Sequence, residues 1–183
     1  MQRFRIGITR LVAPLLFFAG IQGCILVRTT EHRVTFNDDG SGDAVLRLVD
    51  IRSDAPDDSL IARDVHQMMQ AYDKYGVEEF EQQGRKIMNK QFVVHGDTLI
   101  LEISYVFPNR TAIEGLRQTK DDMYMVVGEG REIARTNGKI EKTKDGSRNI
   151  RWDTDTKQLT YSIREKAMPP STSLAGWYLK LYR

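Results

Sequence analysis

The sequence predicts an α+β protein: an antiparallel β-sheet of hairpins and a C-terminal meander, packed by one long helix and preceded by a cleaved signal peptide. Alternating apolar and polar residues, separated by turns rich in Asn, Asp and Gly, are typical of antiparallel hairpins. Residues 57–72 instead carry apolar residues at helical spacing. Residues 1–23 have the composition of an export signal.

The N-terminal segment has a basic head and a short apolar middle. Arg3, Arg5 and Arg10 are its only charged residues, and an apolar run covers residues 11–20 with Pro14 inside it. This run is too short for a transmembrane helix, which needs about 20 apolar residues. A basic head, a short apolar run and small residues before a cut site are typical of a secretory signal. We therefore expect residues 1–23 to be removed.

The only cysteine of the chain follows this signal. The segment Ile21-Gln22-Gly23-Cys24 resembles the lipobox of bacterial lipoproteins, the type cut by signal peptidase II, although Gln22 replaces the usual small residue. The resemblance implies cleavage between Gly23 and Cys24, diacylglycerol on the Cys24 thiol and an N-acyl lipid on the new amine. No other cofactor is expected. A lone thiol in an exported chain cannot form an internal disulfide, which agrees with lipidation. The alternative is an uncleaved signal anchor or a buried N-terminal helix.

The anchor sets the expected domain boundaries. Residues 24–29 are predicted to form the lipid anchor and a short tether, and residues 30–183 a single α+β envelope domain. About five extended residues reach less than about 20 Å, so the domain should lie close to the membrane. Ile25 and Leu26 lack the Asp that retains many lipoproteins in the inner membrane. By resemblance to that sorting rule, the outer membrane facing the periplasm is favoured if the host has one.

The charge balance argues against a nucleic-acid partner. The signal contains three of the 27 Lys and Arg residues and none of the 25 Asp and Glu residues. The remaining 160 residues therefore have 24 basic and 25 acidic side chains and are close to neutral. Nucleic-acid binding needs a clustered basic face, and no polybasic membrane patch is visible in the sequence either.

The first half of the domain is predicted to be two hairpins with a helix between them. Residues 28–36 and 43–51 alternate around an Asn- and Asp-rich turn, and residues 86–94 and 98–107 flank a His-Gly-Asp turn. Thr30, His32, Val34 and Phe36 should share one face of the first strand. The helix should begin after the capping residues Asp57–Ser59, with Gly76 ending or kinking it. Its apolar stripe is Ile61, Val65, Met68, Met69 and Tyr72.

The second half is predicted to be a meander, with turn signals every seven to ten residues from Met123 onward. The charged segment 131–152 should form an exposed ribbon that projects from the core or lies at its edge. For the tail we favour a final strand, with a helix as the alternative. Its aromatic residues Trp177, Tyr178 and Tyr182 lie beside Lys and Arg, which suits contact with a membrane or a partner.

No catalytic or metal-binding pattern is visible. His32, His66 and His95 have no metal-ligand spacing, and the common hydrolase and nucleotide-binding motifs are missing. We therefore expect no enzyme activity and no metal site. The element order of residues 24–118 is similar to the LppM-type lipoprotein domain, an envelope module with a suspected role in binding lipid-like ligands. No binding residue is carried over from that resemblance.

The predicted function is a membrane-anchored binding module at the envelope surface, with a lipid-like ligand or an envelope protein as partner. The first alternative is a structural or assembly component that docks through residues 131–152. A hydrolase with a cleft of scattered carboxylates is the third.

Overall fold

A computed structural model describes residues 24–143 and 146–183, without the side chains of residues 74–76 and 79. A π-helical turn, Ala71–Tyr75, separates the first two helices, and Arg110–Ala112 form a 3-10 turn. The helices are α1 (Asp58–Gln70), α2 (Gly76–Gln82) and α3 (Ala175–Tyr182). The strands are β1 (Ile25–Phe36), β2 (Gly42–Ser53), β3 (Lys86–His95), β4 (Thr98–Phe107), β5 (Leu116–Gln118), β6 (Asp122–Val127), β7 (Arg131–Thr136), β8 (Lys139–Lys142), β9 (Arg148–Asp153), β10 (Gln158–Glu165) and β11 (Thr172–Ser173).

The strands form two antiparallel sheets. The larger sheet has the order β3-β4-β2-β1-β10-β7, and β11 adds to it by pairing with β2. The smaller sheet has the order β5-β6-β9-β8. Both predicted hairpins are present, as β1–β2 and β3–β4. His32, Val34 and Phe36 are buried on one face of β1, as the alternation predicts.

The predicted architecture is nevertheless wrong. The protein is mostly antiparallel sheet with short helices, and no single long helix packs against the sheet in the described residues. After Gln70 the hydrogen bonding changes from α-helical to π-helical, and Tyr72 on this turn contacts β3. The Tyr72 hydroxyl donates to the carbonyl of Lys90 at 2.8 Å, and the Lys90 ammonium donates to the carbonyl of Tyr72. These bonds favour a break over a continuous helix.

The meander and the projecting ribbon are wrong too. Strands β7 and β10 belong to the larger sheet, whereas β6, β8 and β9 belong to the smaller one. Segment 131–152 therefore connects the two sheets. Its side chains include Ile150, which is fully buried, and Trp152, which is 3% exposed. Residues that fill the core cannot be removed without creating a cavity.

The inner face of the larger sheet carries two apolar clusters, one toward each end of its strands. At one end Val34, Ala44 and Tyr105 pack under the smaller sheet, which contributes Met123 and Ile150. At the other end Ile51 and Leu99 pack under α1 and α3 with Val65 and Leu174, among others. The register pairs Leu46 with Ile103 and Leu48 with Leu101, so the clusters share one continuous face. We call the opposite side of this sheet the outer face.

The tail is a helix, so the favoured strand is wrong. Leu174 and Ala175 are buried at the start of α3, and the Leu174 amide donates to the Ile51 carbonyl at 3.1 Å. Trp177, Tyr178 and Leu181 pack against the cluster under the helices. At helical spacing these residues share one face with Leu174, and their packing against α1 and β4 favours the helix over the strand.

The expected tether is also replaced by strand. β1 begins at Ile25, and its first residues pair with the end of β2: Ile25 with Ser53 and Leu26 with Arg52. Only Cys24 of the segment 24–29 precedes the sheet. Ile25 and Val27 pack against the cluster under the helices, which explains why this apolar segment joins the domain.

Candidate functional site

Cys24 lies at the end of the larger sheet, directly before β1. Its thiol is free and exposed. Two backbone contacts fix its position: the Cys24 amide donates to Asp54 Oδ1 at 2.6 Å, and the Asp54 amide donates to the Cys24 carbonyl at 3.3 Å. The predicted signal peptide, residues 1–23, and with it Gly23 of the cleavage site, lie outside the described residues.

A basic cleft of about 470 Å³ lies at the same end of the sheet. Arg28 of β1 and Arg52 of β2 are next to the strand ends, since Arg52 pairs with Leu26 and Cys24 is only two residues before that pair. Both arginines lie on the outer face, because their neighbours Val27 and Ile51 pack into the core on the inner one. Residues of four adjacent strands and of the following loop line the cleft: Arg28, Arg52, Glu132, Arg164, Glu165, Lys166, Met168, Pro169 and Ser171.

Asp50 holds two of the arginines in place. Its Oδ2 lies 2.8 Å from Arg28 Nε, and its Oδ1 accepts from Arg52 Nη1 at 3.2 Å. The other two nitrogens of Arg52 donate to Ser171: Nε to its hydroxyl at 3.0 Å, and Nη2 to its carbonyl oxygen at 2.6 Å. Asp50 is the one described non-glycine residue with a positive φ, 59°. That conformation is uncommon for a residue with a side chain, and the carboxylate of this residue contacts both guanidinium groups.

The far side of the cleft has a second set of ion pairs. Glu132 Oε1 lies 2.6 Å from Arg164 Nη2, and Glu165 Oε1 lies 2.7 Å from Nε of Arg131, outside the cleft. The Lys166 ammonium has no hydrogen bond or ion pair within residues 24–143 and 146–183. The lining thus contains four cationic side chains and two carboxylates. An excess of positive charge in a concave site attracts anions.

The aromatic residues predicted for partner contact are in part used internally. Tyr178 lies against Phe92, with ring centroids 5.2 Å apart, and stacks on Tyr182 at 6.2 Å. The Tyr182 hydroxyl lies 2.5 Å from Nδ1 of His66 on α1, and its side chain is 39% exposed. Trp177 is half-buried beneath the ammonium of Lys180, which lies 4.9 Å from the ring centroid. Partner contact through Trp177, Tyr178 and Tyr182 stays a prediction.

A buried hydrogen-bonded group lies between the sheets. His32 Nδ1 is 2.6 Å from the Tyr161 hydroxyl, and His32 Nε2 is 2.7 Å from the Tyr105 hydroxyl. A neutral imidazole donates through one nitrogen and accepts through the other, so either tautomer satisfies both tyrosines. Arg85 is also buried, with its guanidinium 4.0 Å from the ring centroid of Phe80. The group binds β1, β4 and β10 together.

Burial explains the shifted pKa values of this group. Desolvation, helped by the positive charge of Arg85, lowers the pKa of His32 to about 3. Desolvation likewise raises the pKa of Tyr105 to about 12 and that of Tyr161 well above its usual range. All three side chains are therefore neutral at neutral pH. This fits a structural role in the core, since each neutral group has its hydrogen-bond partner.

The other histidines lie apart from this group. His66 contacts Tyr182, and His95 is exposed at the end of β3. In the described part of the chain, no group of three or more His, Cys, Asp or Glu residues is arranged to hold a metal ion.

The chain matches none of the known proteins with which it was compared, whether protein-family models, curated proteins or solved structures. Among the described helices, none has the length and apolar character needed to cross a bilayer.

The basic cleft could not be predicted from the sequence. Its cations come from positions 28, 52, 164 and 166, and no local segment of the sequence shows a basic cluster. The register places Thr29 opposite Arg164 and Leu26 opposite Arg52, which brings the distant segments together. The one local signal is the spacing of Arg164 and Lys166, two residues apart at the end of β10.

Proposed function

We propose that this chain is a bacterial lipoprotein, anchored in the membrane through Cys24, that acts as a non-catalytic binding module at the envelope surface. The observation that carries the proposal is the position of Cys24. Its exposed thiol immediately precedes β1, at the sheet end where the basic cleft lies. The lipobox-like segment Ile21–Cys24 supports the same anchor.

The absence of a tether gives the proposal its mechanism. A lipid on Cys24 would keep the end of the larger sheet within a few ångströms of the headgroups, because β1 starts one residue later. The cleft would then be confined to the membrane surface. Confinement raises the effective concentration of the cleft toward membrane partners without any additional contact.

The anchor is tested by replacing its thiol. Cys24→Ala, expressed in a diderm bacterium, should leave an uncleaved precursor that lacks the acyl mass, as measured by intact-protein mass spectrometry. Asp54→Ala is the matched control, because it removes the side-chain partner of the Cys24 amide and leaves the thiol in place. This control should be cleaved and acylated like the wild type. Normal cleavage of Cys24→Ala, or a wild-type protein without acyl mass, would reject the anchor.

An assembly role through segment 131–152 is less well supported than the sequence suggests. Because Ile150 and Trp152 fill the core, deleting this segment would destabilise the fold as well as remove any docking surface. Loss of co-purification after such a deletion would therefore not identify a docking site. Point substitutions at Ile140, which is 52% exposed on β8, give the cleaner test of that alternative.

A further inference from the structure

We propose that the basic cleft beside Cys24 binds a phosphate group, either that of an anionic lipid headgroup or that of a small soluble anion. The proposal names the ligand of the binding module described above and rests on that function only for the placement of the cleft at the membrane. The phosphate-binding chemistry itself depends on the side chains of the cleft.

The cleft offers hydrogen-bond donors that the protein does not use. Nε of Arg28 is paired with Asp50, and Nε and Nη2 of Arg164 are paired with Glu132. Among the described residues, no contact joins the Nη groups of Arg28, Nη1 of Arg164 or the ammonium of Lys166 to the protein. These donors come from β1, β10 and the start of the next loop, and they face one space of about 470 Å³.

The arrangement is held in place before a ligand arrives. All three guanidinium nitrogens of Arg52 donate hydrogen bonds to Asp50 or Ser171, which hold this charged group at the side of the cleft. The Arg28 guanidinium is fixed through the same carboxylate. Because these side chains are already ordered, less rotamer entropy is lost on binding than with free surface arginines.

The charge and shape favour phosphate. The four cations of the lining outnumber its two carboxylates together with Asp50, which pairs with Arg28 and Arg52, so the cleft stays net positive. A phosphate has several oxygens that can accept from different sides at once, which matches donors on separate strands. Met168 and Pro169 also border the cleft, but most of its lining is polar.

The test is calorimetric titration of the full chain in neutral maltoside micelles at low salt, since screening weakens exposed charges. One arm titrates inorganic phosphate, with sodium chloride of equal ionic strength as the blank. The second arm titrates dioctanoyl phosphatidic acid, with dioctanoylglycerol as the matched lipid that lacks phosphate. Binding in both phosphate arms with similar affinity supports a soluble anion as the ligand. Binding of phosphatidic acid that is about tenfold or more tighter supports a headgroup.

Variants connect the binding to the cleft. Lys166→Gln and Arg28→Gln should each weaken phosphate binding about tenfold, because each removes a charge-assisted donor. Arg33→Gln is the control, since Arg33 is exposed on the same strand outside the cleft. Lys166 has no protein partner among the described residues, so Lys166→Gln should fold normally even if Arg28→Gln does not.

Three results would overturn the proposal: no binding in either phosphate arm, equal binding of dioctanoylglycerol, or the same loss for Arg33→Gln as for Lys166→Gln. Its failure can be told apart from failure of the anchor. The titration uses the full chain whether or not Cys24 is acylated, and the Cys24→Ala experiment measures mass without any ligand. Each result therefore stands without the other.

Discussion

Acidification from pH 7.5 to pH 4.5 should destabilise the folded protein by about 2.7 kcal/mol through His32 alone. The unfolded chain protonates this imidazole near its ordinary pKa of 6.5, whereas burial lowers the pKa in the folded protein to about 3. Between these values the unfolded state binds one more proton than the folded state. The free energy of unfolding therefore falls by about 1.4 kcal/mol for each pH unit below 6.5. Above about pH 7.5 the imidazole is almost fully deprotonated in both states, and His32 adds no further pH dependence.

The assay is urea unfolding at pH values from 7.5 to 4.5, followed by tryptophan fluorescence. Trp152 reports on the right region, because it is buried in the same cluster and its ring centroid is 6.0 Å from that of Tyr161, a partner of His32. His32→Gln removes the titrating group and should reduce the slope of unfolding free energy against pH by about 1.4 kcal/mol per pH unit, the effect of one proton. It should also lower stability at pH 7 by about 1–3 kcal/mol, since the tyrosine hydroxyls lose well-placed partners.

His95→Gln is the matched control, because His95 is exposed at the end of β3. It should keep the pH dependence of the wild type. Carboxylates such as Asp57, whose pKa is lowered by hydrogen bonds from Ser59 and Leu60, lose their contribution as the pH falls through their own pKa values. They titrate in both proteins, so the comparison of wild type with His32→Gln cancels them. Equal slopes in these two proteins, or a flattened slope in His95→Gln, would refute the role of His32.

Two further substitutions test the packing. Gly42→Ala would place Cβ 1.9 Å from the Thr35 carbonyl oxygen and 2.7 Å from the Phe107 ring. It should lower the free energy of unfolding, measured in urea, by about 3 kcal/mol. Gly128→Ala is its control: no atom lies within 4 Å of the new Cβ, and stability should change by less than about 0.5 kcal/mol. Ser53→Ala removes the hydroxyl that donates to buried Asp64 Oδ2 at 2.5 Å, and should lower the free energy of unfolding by about 1–3 kcal/mol. Ser59→Ala, at the exposed start of α1, is the control. An equal effect of the two substitutions would contradict a stabilising role of the buried Ser53–Asp64 hydrogen bond.

The hairpins were predictable because their signals are local. Alternation in β1 and β2 and the Asn- and Asp-rich turn between them are contained in fewer than 30 residues. The turn is closed by its own side chains, with the Ser41 hydroxyl donating to Asp39 Oδ1 at 2.6 Å. The start of α1 was equally local, since Asp57 Oδ1 accepts from the Leu60 amide at 2.9 Å as a capping residue does.

The helix breaks and the tail were decided by distant contacts. Tyr72 continues the apolar stripe of α1 in the sequence, yet it leaves that helix to bond with Lys90 on β3. In the tail, both periodicities fit the sequence, and only the docking of Leu174 beside Ile51 selects the helix. Propensity is a weak guide where tertiary contacts compete with it.

The division of the C-terminal strands between two sheets was hidden for a similar reason. β8 is exposed along its length and looks like a solvated ribbon in sequence, but its neighbour β9 buries Ile150 and Trp152. Gly138 allows this packing, because a Cβ there would lie 2.6 Å from the Ile150 side chain and 2.7 Å from the Trp152 ring. A glycine in an Asn-Gly turn predicts the turn and carries no information about the ring packed against it.

The topology of the larger sheet places the basic cleft and the candidate anchor, Cys24, at the same end of its strands. β1 runs from Cys24 into the centre of the larger sheet, so the strands that flank it bring Arg52 and Arg164 to the same end. With a long flexible tether, an anchored domain could still rotate freely relative to the membrane. Here Ile25 is already paired, so a lipid on Cys24 would restrict how the domain tilts as well as where it lies. An attachment of this kind favours a ligand within the headgroup layer over one reached across the periplasm. It follows that inserting a flexible linker between Cys24 and Ile25 should preserve anchoring and weaken only the contact of the cleft with the membrane.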